Sequence, residues 1–161
     1  PWFIVHGAPE QTPLIRTARG VNDGKIHHVI AQAEKLVEAS PGARVGCLGL
    51  AFKPNIDDFR ESPARLVAAT LARRFGARIN VVEPYAEKLP IEFTDTGAKL
   101  IDTDTALEEC DILIVLVDHD VFKSVPLAER ATKTVYDTRG IWPDQPAPRL
   151  PGAPERLSSV A

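Results

Sequence analysis

The feature that most constrains the fold is an unbroken apolar run, Ile112-Leu113-Ile114-Val115-Leu116-Val117, which follows Asp111. A run of this length without polar alternation is typical of a strand buried on both faces of a parallel sheet. Shorter apolar segments predict three more strands, at Arg44–Leu50, Arg78–Glu83 and Thr134–Tyr136. Segments between them predict helices, at Glu61–Phe75, Thr105–Glu109 and Phe122–Ala131. This alternation predicts an α/β fold, a Rossmann-like doubly wound parallel sheet.

A long helix is predicted ahead of the sheet, from Leu14 to Ala39, and Ser40-Pro41-Gly42 ends it. Apolar residues recur there at helical spacing, at Ile26, Val29, Ile30, Ala33, Leu36 and Val37. Such a helix is long enough to act as a brace or a dimer axis. The apolar start of the chain is interpreted as a short strand. We therefore expect three parts: residues 1–42 with the short strand and central helix, a sheet domain at 43–142, and a proline-rich, disordered tail at 143–161.

Composition excludes several classes of protein. The 161 residues carry a formal net charge of −3, which offers no basic surface for nucleic acid. No apolar run approaches the roughly 18 residues of a membrane span, so a cytoplasmic protein without a membrane partner is expected. Cys47 and Cys110 lack the spacing of a zinc or disulfide site, and both are interpreted as inert buried thiols. A chain without methionine that opens on Pro1-Trp2-Phe3 is expected to be a piece of a longer protein.

Ligands of open parallel sheets bind beyond the carboxyl ends of the strands. The first such segment holds Lys53 and Arg60, which can neutralise phosphates, followed by a helix that starts at Ser62-Pro63. The alternative is a solvated loop whose acidic residues, Asp57, Asp58 and Glu61, pair with these two cations. Neither a GxGxxG fingerprint nor a GxxxxGK[ST] loop is present.

Two further strand ends carry polar residues. Asp118-His119-Asp120 follows the long apolar run, and helix capping by one of the aspartates is favoured there over a metal site or an acid/base pair. Arg139 follows the last strand and can grip a phosphate or carboxylate. The residues alone therefore predict a domain that binds an anionic, phosphorylated ligand, without a metal site or a complete catalytic apparatus.

Three motifs carry a resemblance to a known family. The segment Gly49–Ala64 resembles the C-terminal part of the UDP-glucose/UDP-mannose dehydrogenase family, and specifically the branch that oxidises UDP-N-acetylmannosamine. Val115–His119 with Phe122-Lys123, and Asp137–Trp142, agree with it in the same order. The resemblance covers the chain from Pro1 to Trp142.

The resemblance implies a division of labour within a longer protein. Family members have an N-terminal domain that binds NAD, a central helix that builds a homodimer, and a C-terminal domain that binds the UDP part of the substrate. They oxidise the C6 alcohol of the sugar to a carboxylate with two NAD+, through a thiohemiacetal on a cysteine. Neither Cys47 nor Cys110 matches that cysteine, so this chain is expected to be inactive by itself.

Carried over by position, the resemblance assigns four residues. Phe52 and Lys53 look like the pair that holds the UDP-sugar, and Arg139 looks like the arginine that grips the substrate nucleotide. Arg60 is similar to the arginine that reaches across the domain cleft to NAD. Two alternatives stay open: the same domain from an enzyme acting on UDP-glucose or UDP-N-acetylglucosamine, and a non-catalytic dimerisation module.

Overall fold

The computed structural model describes residues 2–148, which form a five-stranded parallel sheet flanked by helices. The strands are β1 (Val45–Leu48), β2 (Ile79–Val82), β3 (Lys99–Ile101), β4 (Ile112–Val115) and β5 (Thr134–Asp137). Their order in the sheet is β3-β2-β1-β4-β5, and every neighbouring pair is parallel. This is the order of a doubly wound Rossmann-type sheet, so the predicted fold class is confirmed.

The three central strands are buried on both faces, as their predominantly apolar sequences predict, and β2 carries one buried polar residue, Asn80. In β1, Cys47 belongs to the core on one face and Leu48 to the core on the other, since side chains alternate along a strand. The first core is covered by α2 (Pro13–Glu38) and α3 (Pro63–Phe75). The second is covered by α4 (Thr103–Glu109), α5 (Asp120–Lys123) and the segment around Trp142, while α6 (Leu127–Arg130) leads into β5.

Helix α3 begins and ends where the sequence predicts. The Ser62 side chain accepts a hydrogen bond from the Arg65 backbone N–H at 3.3 Å, and Pro63 occupies the first turn. Gly76 ends the helix with a φ of +63°, a conformation that residues with a Cβ seldom adopt. These signals fix the end of the loop that leaves β1, and that loop is a candidate site segment.

The apolar start of the chain is helical, so its prediction as a strand is wrong. Residues Trp2–Gly7 form α1, in which Trp2 stacks on His6 one turn later, with ring centroids 6.2 Å apart. Only Val5 of α1 is buried, because the helix rests on α2 and lies apart from the sheet. A strand needs a partner for its backbone groups, and in the described residues no strand pairs with this segment.

Helix α2 has the predicted length of a central helix, with 26 residues. Its buried residues all belong to the second half of the helix, at Val29, Ala33, Leu36 and Val37, where α2 packs against α3. The first half extends beyond the sheet domain, and Leu14 and Val21 on it are 79% and 72% exposed. Within residues 2–148, the face of α2 that carries Leu14 and Val21 is therefore uncovered.

Two regions differ from the sequence prediction in detail. Strand β3, which was not predicted, has three residues at the edge of the sheet and no buried member. In the segment after β5, Asp144 and Gln145 bond to Arg130 of α6 at 2.8 and 3.0 Å, respectively, so packed structure continues past Trp142. The remainder of the predicted disordered tail, from residue 149, lies outside the described residues.

Candidate functional site

The order of the strands places three polar segments side by side at the carboxyl ends of the strands, which is called the sheet edge of the site below. The chain order reverses between the adjacent strands β1 and β4, and a crevice for ligands forms at such a point. The segments that leave β1, β4 and β5 there carry Lys53, Asp118 and Arg139, respectively. Lys53 and Arg139 follow strands two positions apart, a separation of about 10 Å at the sheet edge. Two long cationic side chains with this spacing can converge on one polyanionic group.

The segment leaving β1 changes from buried to exposed within a few residues. Leu50 and Ala51 are buried, whereas Phe52 is 52% exposed and Lys53 is also exposed. The Phe52 backbone N–H donates to the carbonyl oxygen of Asp58 at 2.8 Å, which closes the loop on itself. An aromatic side chain and an ammonium group thus project together from a fixed backbone. The alternative, a solvated loop whose acidic residues pair with Lys53 and Arg60, is realised in part: Arg60 pairs with Asp58, whereas no ion pair of Lys53 is found among residues 2–148.

The buried carboxylate of Glu83, directly after β2, anchors this segment. One carboxylate oxygen accepts hydrogen bonds from the backbone N–H groups of Leu50 at 2.7 Å and Ala51 at 3.1 Å. Nε2 of His119 lies 3.2 Å from the same oxygen, and the other carboxylate oxygen accepts from the Tyr85 N–H at 3.0 Å. Burial by itself raises the pKa of Glu83, but the hydrogen bonds from His119, Leu50 and Tyr85 outweigh it and hold the pKa below its ordinary value.

Arg139 is presented by a turn that the carboxylate of Asp137 organises. Asp137 accepts hydrogen bonds from the backbone N–H groups of Arg139 at 2.9 Å, Gly140 at 2.7 Å and Trp142 at 2.9 Å. The Arg139 guanidinium contacts Asp118 Oδ1 through Nε at 2.9 Å and through a terminal nitrogen at 2.8 Å. Partial burial raises the pKa of Asp118, and backbone and Arg139 hydrogen bonds reverse that, so its pKa lies below the usual range. Arg139 is therefore held beside β4 while half of its side chain stays exposed.

Arg60 lies later in the same loop as Phe52 and Lys53 and is paired with Asp58. Its guanidinium and backbone N–H bond to Asp58, and these contacts lower the pKa of Asp58 to about 2. Arg60 lines a cleft of about 770 Å³ beside β2, together with Phe59, Tyr85 and Lys88. Phe52, Lys53 and Arg139 are absent from the described lining of this cleft. The structure thus brings three candidates to the β1–β4–β5 edge, and Arg60 faces a cleft whose described lining does not include them.

Neither cysteine has the environment of a nucleophile. Cys47 and Cys110 are both fully buried. Burial, with a smaller contribution from Cys110, raises the pKa of the Cys47 thiol to about 12, so the reactive thiolate form is suppressed. Within residues 2–148 no group of three or more His, Cys, Asp or Glu side chains is placed to hold a metal ion. None of the helices described is long and apolar enough to cross a membrane.

Residues 46–144, more than half of the chain, match the model of the UDP-glucose/GDP-mannose dehydrogenase family, UDP binding domain. The chain belongs to this family. The name of the family includes GDP-mannose, so the UDP-mannose in the name given under the sequence analysis is corrected. The matched residues include nearly all of the sheet domain and the segment after β5 that contains Arg139 and Trp142.

Two curated relatives are much longer than this chain. A UDP-N-acetyl-D-mannosamine dehydrogenase of Salmonella typhi is 45% identical over 150 residues, covering 88% of this chain and 36% of that protein. An NDP-N-acetyl-D-galactosaminuronic acid dehydrogenase of Ralstonia nicotianae is 41% identical over 142 residues, covering 88% and 33%, respectively. The chain therefore spans about a third of the length of these curated relatives.

Solved structures agree with this family assignment. A UDP-N-acetyl-mannosamine dehydrogenase of S. aureus superposes with a TM-score of 0.65 at 25% identity, over 88% of this chain and 32% of that one. A UDP-glucose dehydrogenase of Pyrobaculum islandicum superposes with a TM-score of 0.56 at 32% identity, over 69% and 26%. The chain thus has the fold of the UDP-binding domain of UDP-sugar dehydrogenases.

Sequence reasoning misassigned one part of this site and missed another. Either Asp118 or Asp120 was predicted to cap a helix, yet His119 occupies the N-cap position of α5 and forms no side-chain cap, while Asp118 pairs with Arg139. Glu83 was seen only as the end of a strand. The available signal was a charged residue directly after a strand that is apolar apart from Asn80, because such a residue is buried at the sheet edge and needs donors.

Proposed function

We propose that this chain is the substrate-binding part of an NAD-dependent dehydrogenase that oxidises the C6 alcohol of UDP-N-acetylmannosamine. Two relatives support an acetamido sugar, since the names of both include an N-acetylated hexosamine or its uronic acid. The observation that carries the proposal is the placement of Lys53 and Arg139 at one sheet edge in a UDP-binding domain. Domains acting on UDP-glucose or UDP-N-acetylglucosamine remain the alternatives.

In this proposal the chain binds the nucleotide and performs no bond chemistry itself. Lys53 and Arg139 donate charge-assisted hydrogen bonds to the diphosphate, and Arg139 adds the planar geometry suited to two phosphate oxygens. Phe52, half exposed beside Lys53, offers an apolar face to the nucleoside or the sugar. The oxidation takes place in the full-length protein, whose other parts supply the reactive thiol and the hydride acceptor.

The cofactor NAD, a dinucleotide, does not fit the sheet edge of this chain. In a dinucleotide-binding Rossmann unit the acidic residue after the second strand binds the ribose of the cofactor. Glu83 occupies the equivalent position, but its carboxylate is fully buried and bonded to Leu50, Ala51, Tyr85 and His119. This sheet edge therefore lacks a free carboxylate to bind the ribose of NAD. Arg60, exposed beside its own cleft, is proposed as the one contact to an NAD held elsewhere in the full-length protein.

Calorimetric titration of the chain with UDP, UDP-N-acetylmannosamine and NAD+ tests this proposal. Binding is expected for both UDP compounds and not for NAD+. Lys53→Ala and Arg139→Ala should each weaken UDP binding at least about tenfold, because each removes a charge-assisted hydrogen bond. Lys25→Ala, which removes an exposed charge on α2, is the matched control. Full affinity in both site variants contradicts the assignment of these residues.

We also propose that the first half of α2 builds a homodimer. Leu14 and Val21 project from it and are largely exposed, which supports a partner on this face. Sedimentation of the chain and of a Leu14→Ser/Val21→Ser variant provides the test. A dimer that the double substitution converts to monomer supports the proposal. A wild-type chain that is monomeric at all concentrations contradicts it for this part of the protein.

A further inference from the structure

The loop that presents Phe52 and Lys53 is anchored at both of its ends by one buried pair of side chains. At the near end, Glu83 accepts the backbone N–H groups of Leu50 and Ala51. At the far end, the backbone N–H of Asn55 donates to Nδ1 of His119 at 2.9 Å. Because His119 Nε2 lies 3.2 Å from Glu83 Oε2, the two anchors join into a single hydrogen-bonded unit.

This arrangement defines the protonation of the His119 ring. Nδ1 accepts a hydrogen bond from a backbone N–H and so carries no proton, which leaves the ring proton on Nε2. Nε2 then donates to the Glu83 carboxylate. One neutral tautomer satisfies both contacts, and the side chains of His119 and Glu83 are both entirely buried. The ring is held further by Tyr85 and Phe122, whose centroids lie 5.2 and 5.3 Å away.

The far anchor depends on an unusual backbone conformation. Asn55 has a φ of +61°, in the left-handed region that asparagine tolerates better than most residues. Its side-chain amide donates to an Asp120 carboxylate oxygen at 2.7 Å, and its amide oxygen accepts the Asp120 backbone N–H at 3.0 Å. These bonds turn the Asn55 N–H toward His119 and tie the loop to the start of α5. Only Phe52, Lys53 and Pro54 lie between the two anchors.

We propose that His119 and Glu83 form a buried positioning pair that fixes the Leu50–Asn55 loop and thereby sets Phe52 and Lys53 for a nucleoside diphosphate. This inference rests on the proposed function. The pair bridges segments that leave β1, β2 and β4, which are neighbours in the sheet, so it couples the loop to the most rigid part of the fold. Neither side chain reaches solvent, so both act through the loop and not on the ligand directly.

Two substitutions of His119 each remove one of the two hydrogen bonds of its ring and keep the other. In His119→Asn the amide oxygen replaces Nδ1 as the acceptor for the Asn55 N–H, and the donor to Glu83 is lost. In His119→Gln the amide nitrogen replaces Nε2 as the donor to Glu83, and the acceptor for Asn55 is lost. Each variant should weaken UDP binding about tenfold, since each leaves one buried polar group without its partner. His28→Asn, on the exposed face of α2, is the matched control and should bind UDP like the wild type.

A double-mutant cycle distinguishes positioning from a general loss of stability. UDP binding is measured, well below the melting temperature of each protein, for wild type, His119→Asn, Lys53→Ala and the double variant. If His119 acts through the loop that carries Lys53, the loss of affinity in the double variant should be clearly smaller than the product of the two single losses, with the remaining effect of His119→Asn due to Phe52. Nitrogen NMR of the His119 ring in the wild-type chain should show Nε2 protonated and Nδ1 unprotonated.

The results distinguish failure of the proposed UDP-binding function from failure of the His119–Glu83 positioning pair. A wild-type chain with no affinity for UDP overturns the proposed function and this inference with it. A wild-type chain that binds UDP, with His119→Asn and His119→Gln binding equally well, overturns only the positioning pair. Multiplicative losses in the double variant, or a proton on Nδ1, also overturn it. Loss in both variants with coupling to Lys53 supports it.

Discussion

Gly49 faces Val117 so closely that a Cβ on Gly49 would lie 2.4 Å from the Cβ of Val117. The Gly49 backbone also has a φ of +95° and donates its N–H to the Val82 carbonyl oxygen at 2.8 Å. This glycine joins the ends of β1, β2 and β4 at the point where the candidate binding loop begins. The close approach lets that loop leave the sheet beside β4.

Gly49→Ala should therefore destabilise the fold by about 3 kcal/mol, the combined cost of a strained backbone and an overpacked contact. Urea unfolding measures the change as a lower midpoint with an unchanged slope. Gly24→Ala is the control, because nothing lies within 4 Å of a Cβ there and the site is inside α2. That substitution should stabilise the helix by up to about 1 kcal/mol. Equal midpoints for Gly49→Ala and wild type would contradict the packing argument.

Stability should depend on pH through Glu83. Its pKa is held below the ordinary value of 4.5, because hydrogen bonds from His119, Leu50 and Tyr85 outweigh the effect of burial. The unfolded chain therefore binds this proton more tightly than the folded chain, and acid favours unfolding. The contribution of Glu83 is fully present above the unfolded pKa and is lost as the pH falls through the lower, folded pKa.

Glu83→Gln should lower the free energy of unfolding by about 2 kcal/mol at neutral pH, since it removes a charged acceptor of buried N–H groups. The difference from wild type should shrink once the pH falls below 4.5. Urea unfolding between neutral pH and about pH 3 follows this change. Glu87→Gln, at an exposed position after β2, is the control and should leave the pH dependence intact. A gap between Glu83→Gln and wild type that stays constant with pH would argue against this origin.

The sheet was predictable because its strands carry strong local signals. β4 reads as an unbroken apolar run, and α3 has both Ser62 at its start and Gly76 at its end. β3 has no such signal, since its residues are exposed or half-buried and it forms through pairing with β2. The apolar start of the chain was too short for its period to decide between strand and helix, and contact with α2 makes it a helix.

A site residue could be predicted from the sequence only where it lies just after a strand that was itself predicted. Lys53 and Arg139 were found because each lies just after a predicted strand. The bond between Glu83 and His119 joins residues 36 positions apart, and it exists because β2 and β4 both flank β1. Strand order is a property of the packed chain, so spacing along the sequence could not reveal this contact. The pairing of Asp118 with Arg139 depends on the neighbouring positions of β4 and β5 in the same way.

Arg130 should hold the segment after β5 in place. It is 4% exposed, its guanidinium lies 4.9 Å from the centroid of the Trp142 ring, and it bonds to Asp144 and Gln145. Arg130→Ala removes the stacking and both bonds, so Trp142, now 3% exposed, should become accessible to water. In a Trp2→Phe background, where Trp142 is the single tryptophan, its fluorescence should shift to longer wavelength.

The matched control for Arg130 is Arg73→Ala, which removes an exposed arginine from α3. It should leave the emission of Trp142 unchanged and the stability within about 0.5 kcal/mol of wild type. An acrylamide quenching series on the same proteins reports the accessibility of Trp142 independently. If acrylamide quenches Trp142 no more strongly in Arg130→Ala than in Arg73→Ala, the Arg130 guanidinium does not shield the Trp142 ring.

Asp137 should control UDP affinity through the turn that carries Arg139. Its two carboxylate oxygens together accept the N–H groups of Arg139, Gly140 and Trp142, and Asp137→Asn replaces one of these oxygens with an NH2 group. A donor then faces a donor, the turn loosens, and UDP binding should weaken about tenfold. Asp111→Asn is the control, since Asp111 accepts the Arg44 N–H just before β4, at the opposite edge of the sheet. Calorimetry should show loss of affinity in Asp137→Asn alone, and equal losses in both variants would mean that the effect is on stability and not on the placement of Arg139.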